Sequence, residues 1–298
     1  MKPLSLMSVR EDEDAVAGGQ VIGIVVKPES SVAEESAKKV ARLLEDMGVD
    51  VVVDNDSRMH YESLSRYKGF DLQDDPPPKI IVIGGDGTLL RTFMLLDGRP
   101  SIVMGIRAGK RGFLLDVEQY EIEDRVRDFV MGRYRVEEHW RAQVYLGDKP
   151  VSCVLNDAVV MTKMGKMVKL SVYIDGERVM GIDGDGVIIS TTTGSSAYSL
   201  SAGGPVIDPR LDVMVITPMN PVQLFLRPIV APSDSTIEVE IAPGSSGLFL
   251  SLDGQHNVDI GIGDIVTVKR CDKPVRVARF KWWENYYERL YTRLLTYW

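Results

Sequence analysis

Short apolar runs alternate with amphipathic stretches from residue 20 to about residue 135. The run VIGIVVK at 21–27 is rich in β-branched residues and is typical of a strand buried on both faces. Apolar residues then recur every three or four positions, which predicts one buried face of a helix that ends near Gly48. They are Ala33, Ala37, Val40, Leu44 and Met47. A second strand begins at 51–53, and strand, helix, strand is the parallel crossover unit.

The same alternation continues to about residue 131. Residues 54–78 are polar and close with three prolines, so we expect an irregular segment there. The elements predicted beyond it are strands at 79–83 and 101–106 and helices at 89–96 and 118–131. We therefore expect an open α/β domain over residues 20–135.

From residue 136 to 272 the pattern changes to short strand-like runs separated by Asp-Gly turns. Because long helical periodicity is absent there, this part predicts a β-sandwich or layered sheet. Residues 273–298 are aromatic-rich and predict a C-terminal helical segment that packs back on the first domain. Its apolar face holds Tyr287, Leu290, Leu294 and Trp298. Residues 1–19 carry an acidic run and no apolar core, so we expect a flexible tail.

Composition and charge narrow the classes of function. The chain has 298 residues, of which 44% are apolar and 26% charged, which is enough to bury a core. The net charge of -8 argues against binding to nucleic acid or a membrane surface, and no apolar run approaches the roughly 18 residues that span a bilayer. We expect a soluble, cytoplasmic protein. Cys153 and Cys271 share no CxxC spacing, so neither a zinc site nor a disulfide framework is expected, and the three histidines argue against a His-rich metal centre.

The most informative short motif is GGDGT at 84–88, which follows a predicted buried strand and precedes a predicted helix. Open α/β folds bind ligands at this end of the sheet, where glycines let the backbone approach a ligand and helix N-terminal N–H groups favour phosphate. Asp86 would then lie beside bound phosphates, where it can accept a proton from an attacking hydroxyl. The alternative is a simple tight turn, since Asp-Gly is a common turn dipeptide.

Two other phosphate-binding loops are excluded. The stretch 105–111 has the wrong spacing for a Walker A loop and lacks its hydroxyl, and no GxGxxG fingerprint follows an early strand. Any dinucleotide must therefore be bound in a way that differs from the usual Rossmann mode.

A second constellation lies at 184–209, where most side chains between Ser190 and Ser201 carry a hydroxyl and glycines supply bends. Such an array suits recognition of ribose, amide and phosphate groups. On composition alone it would be a solvated loop. Its occurrence together with GGDGT favours the binding interpretation.

These motifs together resemble the NAD kinase family. The match rests on GGDGT at 84–88, Leu155-Asn156-Asp157 and the stretch 184–209, which includes TGSSAYSLSAGGP, with a similar C-terminal segment. It spans roughly residues 20–298. GGDGT alone is shared with diacylglycerol, sphingosine and phosphofructokinase-type kinases, whereas the longer stretch is much more specific.

The resemblance implies transfer of a phosphoryl group to the 2′-hydroxyl of the adenosine ribose of NAD, which gives NADP. It implies that Asp86 accepts the proton of that hydroxyl. Asn156 and Asp157 match an Asn-acidic pair at the ribose, and Asp185 matches a carboxylate near the nicotinamide end that is often supplied across a subunit boundary. The residues implied at the donor phosphates are Gly84, Gly85, Gly87 and Thr88, and the other residues implied at NAD are Asp86, Gly87, Arg91, Thr193, Ser196, Ala197, Tyr198, Ser201 and Gln255.

The chemistry of these side chains agrees with those roles. Asn156 can both donate and accept hydrogen bonds, and Tyr198 offers a flat face to adenine. Two alternatives stay open, namely that Tyr198 is an ordinary core residue and that Asp157 caps a turn.

Cofactor and partners follow from the reaction class. Phosphoryl transfer needs a divalent ion, magnesium or manganese, and we expect it to arrive with the donor because the sequence offers no metal cage made of protein ligands alone. The donor is ATP or polyphosphate, and the resemblance implies a homodimer or homotetramer. The competing hypotheses are a lipid kinase acting on diacylglycerol or sphingosine and a non-catalytic module that senses NAD or NADP.

Two positions depart from the family pattern. Arg107 stands where the family usually has asparagine, which would strengthen anion binding or alter the donor. Thr192 stands where the family has proline, which loosens one backbone constraint. Neither change removes a proposed catalytic residue.

Overall fold

The computed structural model describes residues 19–109, 113–163 and 165–280, together with Tyr287 and Leu290. The chain divides into two compact units. The first contains the described residues up to Glu138 and those from Arg276 onward, and the second is His139–Val275. The predicted order of an α/β domain followed by a β-sandwich-like domain is confirmed.

The first unit is built on a parallel sheet with helices between its strands. Its strands are β1 (Val21–Val26), β2 (Asp50–Asp54), β3 (Lys68–Phe70), β4 (Lys79–Gly84) and β5 (Ile102–Arg107), and its helices are α1 (Ser31–Asp46), α2 (Asn55–His60), α3 (Asp86–Leu96) and α4 (Ile122–Val130). The strand order is β3-β2-β1-β4-β5, with every pair parallel. Late in the chain, Arg276 and Val277 pair in parallel with Ile102 and Val103 of β5.

Local sequence explains why α1 forms where it does. The Ser30 side chain accepts a hydrogen bond from the Ala33 N–H and caps the helix. The predicted face at Ala33, Ala37, Val40 and Leu44 is fully buried against the sheet. In the described part of the chain, no helix combines the length and the apolar character needed to cross a membrane.

The second unit contains two further groups of β-strands. These strands are β6 (Arg135–Leu146), β7 (Lys149–Val154), β8 (Asp157–Thr162), β9 (Val168–Ile174), β10 (Glu177–Gly184), β11 (Gly186–Ser190), β12 (Val213–Met219), β13 (Ile229–Pro232), β14 (Ile237–Ile241), β15 (Leu248–Leu252), β16 (His256–Ile260) and β17 (Ile265–Arg279). The first four residues of β6 and the last four of β17 belong to the first unit. One antiparallel sheet has the order β13-β12-β11-β8-β15-β16. In the other group β10, β9, β14 and β17 follow one another, and β6 pairs with β17 and β7. A short helix, α5 (Tyr198–Ser201), precedes β12.

Two predictions of secondary structure are wrong in part. Residues 54–78 are not irregular throughout, because they contain α2, β3 and a 3₁₀ turn at Glu62–Leu64. These elements are too short to show a periodic pattern. Residues 273–279 are not helical but continue β17, in which Val275 and Val277 are buried on alternate positions. The described residues do not include the predicted C-terminal helix beyond residue 280, apart from Tyr287 and Leu290. Of the predicted tail they include only Gly19.

A disulfide joins Cys153 on β7 to Cys271 on β17 within the second unit. The expectation that the two cysteines form no disulfide framework is therefore wrong. The two cysteines are 118 residues apart along the chain, and a sequence separation of this size does not indicate whether their strands lie close together in the fold. Both side chains are buried, and their Cα atoms lie 6.3 Å apart, which is within the usual range for a disulfide.

Removing this disulfide should destabilise the protein. A crosslink over 118 residues restricts the unfolded chain strongly, and native disulfides typically contribute about 2–4 kcal/mol. We expect the double variant Cys153→Ala/Cys271→Ala to lose about that much free energy of unfolding, measured by denaturant titration. Adding a reductant should move the wild-type curve toward that of the variant and leave the variant unchanged. Coincident curves for the two proteins without reductant would contradict the prediction.

Candidate active site

The glycine turn lies where β4 ends and α3 begins, as the sequence predicts. Gly84 is the last residue of β4, Gly85 caps α3, and Asp86 is its first residue. A Cβ on Gly84 would collide with the Thr88 side chain, so this position requires glycine. The first N–H groups of a helix have no partner within the helix, and with the helix dipole they form an anion site.

The carboxylate of Asp86 is half-buried and held by the backbone of a later loop. The N–H of Phe113 donates to Asp86 Oδ2 at 2.6 Å, and the N–H of Leu114 donates to Oδ1 at 2.9 Å. Each oxygen therefore has one fixed partner. An ionised carboxylate has about four lone-pair sites, so Asp86 keeps acceptor capacity for a substrate hydroxyl.

A buried arginine supports the loop that holds Asp86, and the sequence analysis missed it. Arg279 is 3% exposed and donates from Nη1 to the Leu114 carbonyl at 2.8 Å and to Asp116 Oδ1 at 3.1 Å. Its Nε donates to Glu137 Oε2 at 2.7 Å. A buried charge needs such partners, and Arg279 thereby fixes the position of Leu114. No local motif points to it, because its partners lie more than 140 residues earlier in the chain.

Two arginines that the sequence analysis named form ion pairs in the structure. Arg91, one turn into α3, forms an exposed ion pair with Asp56. Such a pair contributes little to stability and can be exchanged for a phosphate. Arg107, the departure from the family pattern, pairs with Glu118 at 3.0 Å and donates to the Leu115 carbonyl at 3.0 Å.

In the second unit, two sequence motifs form one cluster. The N–H of Thr191 donates to the Asn156 carbonyl at 2.8 Å, and the Thr191 hydroxyl donates to the Leu155 carbonyl. A Cβ on Gly194 would overlap the Asn156 carbonyl oxygen, so this contact requires glycine. The hydroxyl-rich stretch and the Leu155-Asn156-Asp157 turn are thus packed against each other.

A third segment, missed by the sequence analysis, underlies this cluster. The carboxylate of Asp253 accepts hydrogen bonds from three consecutive N–H groups, those of Leu155, Asn156 and Asp157, at 2.8, 2.7 and 3.0 Å. Burial raises the pKa of Asp253 to about 6. The hydrogen bonds from the three N–H groups and the charge of Arg141 act in the opposite direction and lower this pKa.

Asp157 lies in the same cluster and is 5% exposed. Burial, and then the charge of Asp253, raise the pKa of Asp157 to about 7. Two neighbouring polar atoms, Asn156 Oδ1 and Ser190 Oγ, are buried and have no hydrogen-bond partner in the described part of the chain. Unpaired buried polar atoms are costly, so these two atoms are suited to a polar ligand.

Comparison with known proteins gives the family. Residues 22–134 match the model of the ATP-NAD kinase N-terminal domain, and residues 155–280 match that of the ATP-NAD kinase C-terminal domain. The chain belongs to the NAD kinase family. The NAD kinase of Aeropyrum pernix is 52% identical over 93% of this chain and 99% of its own length. That of Thermococcus gammatolerans is 37% identical over 87% and 93%.

Solved structures of NAD kinases share the fold. Yeast NADH kinase complexed with NADH superposes with a TM-score of 0.84 and 25% identity, over 95% of this chain and 89% of the yeast chain. An NAD kinase from Archaeoglobus fulgidus in complex with ATP superposes with a TM-score of 0.76 and 25% identity, over 92% and 99%. The chain is therefore an enzyme that phosphorylates NAD.

The remaining residues that the NAD kinase resemblance singled out fall into two groups. Five of them follow the Asn156 cluster along the chain, on a 3₁₀ turn, on α5 and at the residue between them; they are Thr193, Ser196, Ala197, Tyr198 and Ser201. Tyr198 is 41% exposed, so it is not a core residue. Gln255 is exposed on the β15–β16 turn, two residues after Asp253. Asp185 lies at the opposite end of β11, where it accepts a hydrogen bond from Asn220 at 2.8 Å.

Proposed function

We propose that this NAD kinase transfers the terminal phosphoryl group of ATP to the 2′-hydroxyl of the adenosine ribose of NAD, with Asp86 as the proton acceptor. The observation that carries this proposal is the carboxylate of Asp86, fixed by the Phe113 and Leu114 N–H groups at the first turn of α3. The hydroxyl oxygen bonds to the phosphorus, its proton moves to Asp86, and the bond to ADP breaks. A carboxylate is a weak base for an alcohol, so positioning supplies most of its effect.

The donor phosphates are assigned to the glycine turn. Gly84, Gly85 and Gly87 have no side chains to keep phosphate oxygens away from the backbone, and the N–H groups of Asp86 and Gly87 lie at the helix N-terminus. The N–H of Thr88 donates to the Gly85 carbonyl at 3.1 Å, so Thr88 belongs to the proposed set through its side chain. Arg91 can exchange its exposed ion pair with Asp56 for one with the negatively charged donor phosphates. A magnesium or manganese ion, which would enter with the donor, would neutralise part of the charge on its phosphate oxygens. Among the described residues no group of three or more His, Cys, Asp or Glu side chains is placed to hold a metal ion.

The dinucleotide is assigned to the Asn156 cluster. Asn156 Oδ1 and Ser190 Oγ supply unpaired polar atoms, and Asp157 can accept from a ribose hydroxyl. The half-exposed ring of Tyr198 is available to stack on a base. The stretch from Thr193 to Ser201 and Gln255 complete the set of proposed contacts.

A homodimer or homotetramer is proposed on a surface of the second unit. The loop after β12 exposes Val222, Leu224 and Phe225 at 65%, 87% and 79%. The same loop is held to the Asp185 turn, since the N–H of Val222 donates to the Asp183 carbonyl at 2.8 Å. Exposed apolar residues of this kind are typical of an interface, which would place Asp185 at a subunit boundary. Light scattering at micromolar concentration should give a dimer or tetramer and a smaller species for Phe225→Asp; a monomeric wild type would contradict the proposal.

One assay tests the activity. Purified protein with magnesium and NAD or NADH is offered ATP, other nucleoside triphosphates or polyphosphate, and NADP is detected with an NADP-dependent dehydrogenase after any NADPH is oxidised. We expect NADP with ATP and no product from diacylglycerol or sphingosine. Binding of NAD without any turnover, or robust lipid phosphorylation, would overturn the proposal.

A further inference from the structure

The carboxylate of Asp253 is placed as a support beneath the Leu155–Asp157 turn. Its Oδ1 accepts from Asn156 and Asp157 at 2.7 and 3.0 Å, and its Oδ2 accepts from Leu155 at 2.8 Å. The N–H of Asp253 donates in turn to the Asp157 carbonyl at 3.0 Å. Four hydrogen bonds therefore join one residue of the β15–β16 turn to three consecutive residues of another loop.

This arrangement is costly in two respects. Asp253 is 7% exposed, so its carboxylate is removed from water, and it lies beside the buried carboxyl of Asp157. Its φ of +50° lies in the left-handed region, which a residue other than glycine rarely adopts. Glycine would relieve the backbone strain but would leave three N–H groups without their acceptor. These costs are offset by the conformation that the Asp253 carboxylate imposes on the Leu155–Asp157 turn.

That turn carries the side chains that face the proposed ligand. Asn156 Oδ1 has no partner in the described part of the chain, and the direction of this atom is set by a backbone that Asp253 holds. We propose that Asp253 is the positioning residue of the dinucleotide site: it orients Asn156 and Asp157 without touching NAD itself. This inference rests on the proposed function, because it assigns these two residues to NAD.

The chain contains a matched control for this role. Asp175, on the β9–β10 turn, also has a φ of +50° and also precedes a glycine. Its Oδ1 accepts from the Thr236 N–H at 2.8 Å, and its own N–H donates to the Thr236 carbonyl at 2.9 Å. Asp175 therefore repeats the backbone conformation of Asp253 at an exposed turn, where its carboxylate holds one N–H group and supports no proposed ligand residue.

The test compares Asp253→Asn with Asp175→Asn in the full-length enzyme. Asparagine keeps the shape but turns one acceptor oxygen into a donor that faces an N–H group, a loss typical of a tenfold or larger change in an equilibrium. We expect the KM for NAD to rise about tenfold or more in Asp253→Asn, the KM for ATP to stay within about twofold, and Asp175→Asn to keep both values. An unchanged KM for NAD in Asp253→Asn, or an equal rise in both variants, would overturn the inference.

A second measurement covers the case in which Asp253→Asn does not fold. Hydrogen exchange of the wild type should then show slow exchange at the amides of Leu155, Asn156 and Asp157, because their N–H groups are bonded to one carboxylate. Fast exchange at these amides would reject the inference. Failure of the proposed function looks different, since the wild type would then form no NADP at all.

Discussion

Replacing Asp86 with asparagine should reduce kcat by about 100-fold to 10,000-fold while NAD still binds. The amide cannot take the proton of the ribose hydroxyl, and one of the N–H groups of Phe113 and Leu114 would face an amide N–H₂ group instead of an oxygen. Steady-state kinetics give the loss of rate, and isothermal titration gives the affinity for NAD. A variant that keeps more than a tenth of the wild-type kcat would exclude Asp86 as the proton acceptor.

The matched control is Asp124→Asn. Asp124 lies in the first turn of α4, so this variant also removes a negative charge from a helix N-terminus of the same unit. It is exposed and has no part in the glycine turn. We expect an unchanged kcat, which would separate the role of Asp86 in proton transfer from a general effect on a helix end.

The buried carboxyl of Asp157 should make the protein less stable as the pH rises. Its pKa is raised by burial, and then by the Asp253 charge, from 3.8 to about 7. Between these two values the folded protein keeps a proton that the unfolded chain has lost, so the free energy of unfolding falls as the pH rises from about 4 to 7. The decrease is on the order of a few kcal/mol, and Asp253, whose pKa burial raises to about 6, contributes to it in the same direction. Denaturant titration at pH 4–8 measures it.

The variant Asp157→Asn should flatten this pH dependence, because the amide does not ionise. The comparison variant is Asp234→Asn, which changes an exposed carboxylate of the same unit. It should retain the wild-type pH dependence. If wild type and Asp157→Asn had parallel profiles across this range, Asp157 would not be the protonated group in the folded protein.

The architecture could be predicted because it depends on regular patterns. The helical face at Ala33, Ala37, Val40 and Leu44 and the β-branched run at 21–27 are both found where the pattern indicated. The prediction for residues 54–78 was wrong in part because β3 has only three residues, which are too few to show a periodic pattern. The prediction for residues 273–279 was wrong because it was based on the aromatic residues that follow them in the chain.

The candidate site was predictable only where a motif is local. The GGDGT motif indicated the turn that carries Asp86, because a strand, the glycines and a helix follow one another directly in the chain. The residues that support the two candidate-site loops are distant from them in sequence: Asp253 contacts Leu155 across 98 positions, and Arg279 contacts Leu114 across 165. A single sequence contains no spacing rule for such pairs, and the same holds for the Cys153–Cys271 disulfide.

The division of the first unit into two pieces of chain has a consequence for synthesis. The second unit, His139–Val275, is continuous and can fold as it leaves the ribosome. The first unit cannot complete its sheet or place Arg279 against Leu114 until the end of β17 has been translated. A nascent chain stalled before Arg276 would therefore contain the whole Asn156 turn, but the loop that holds Asp86 would lack its support from Arg279.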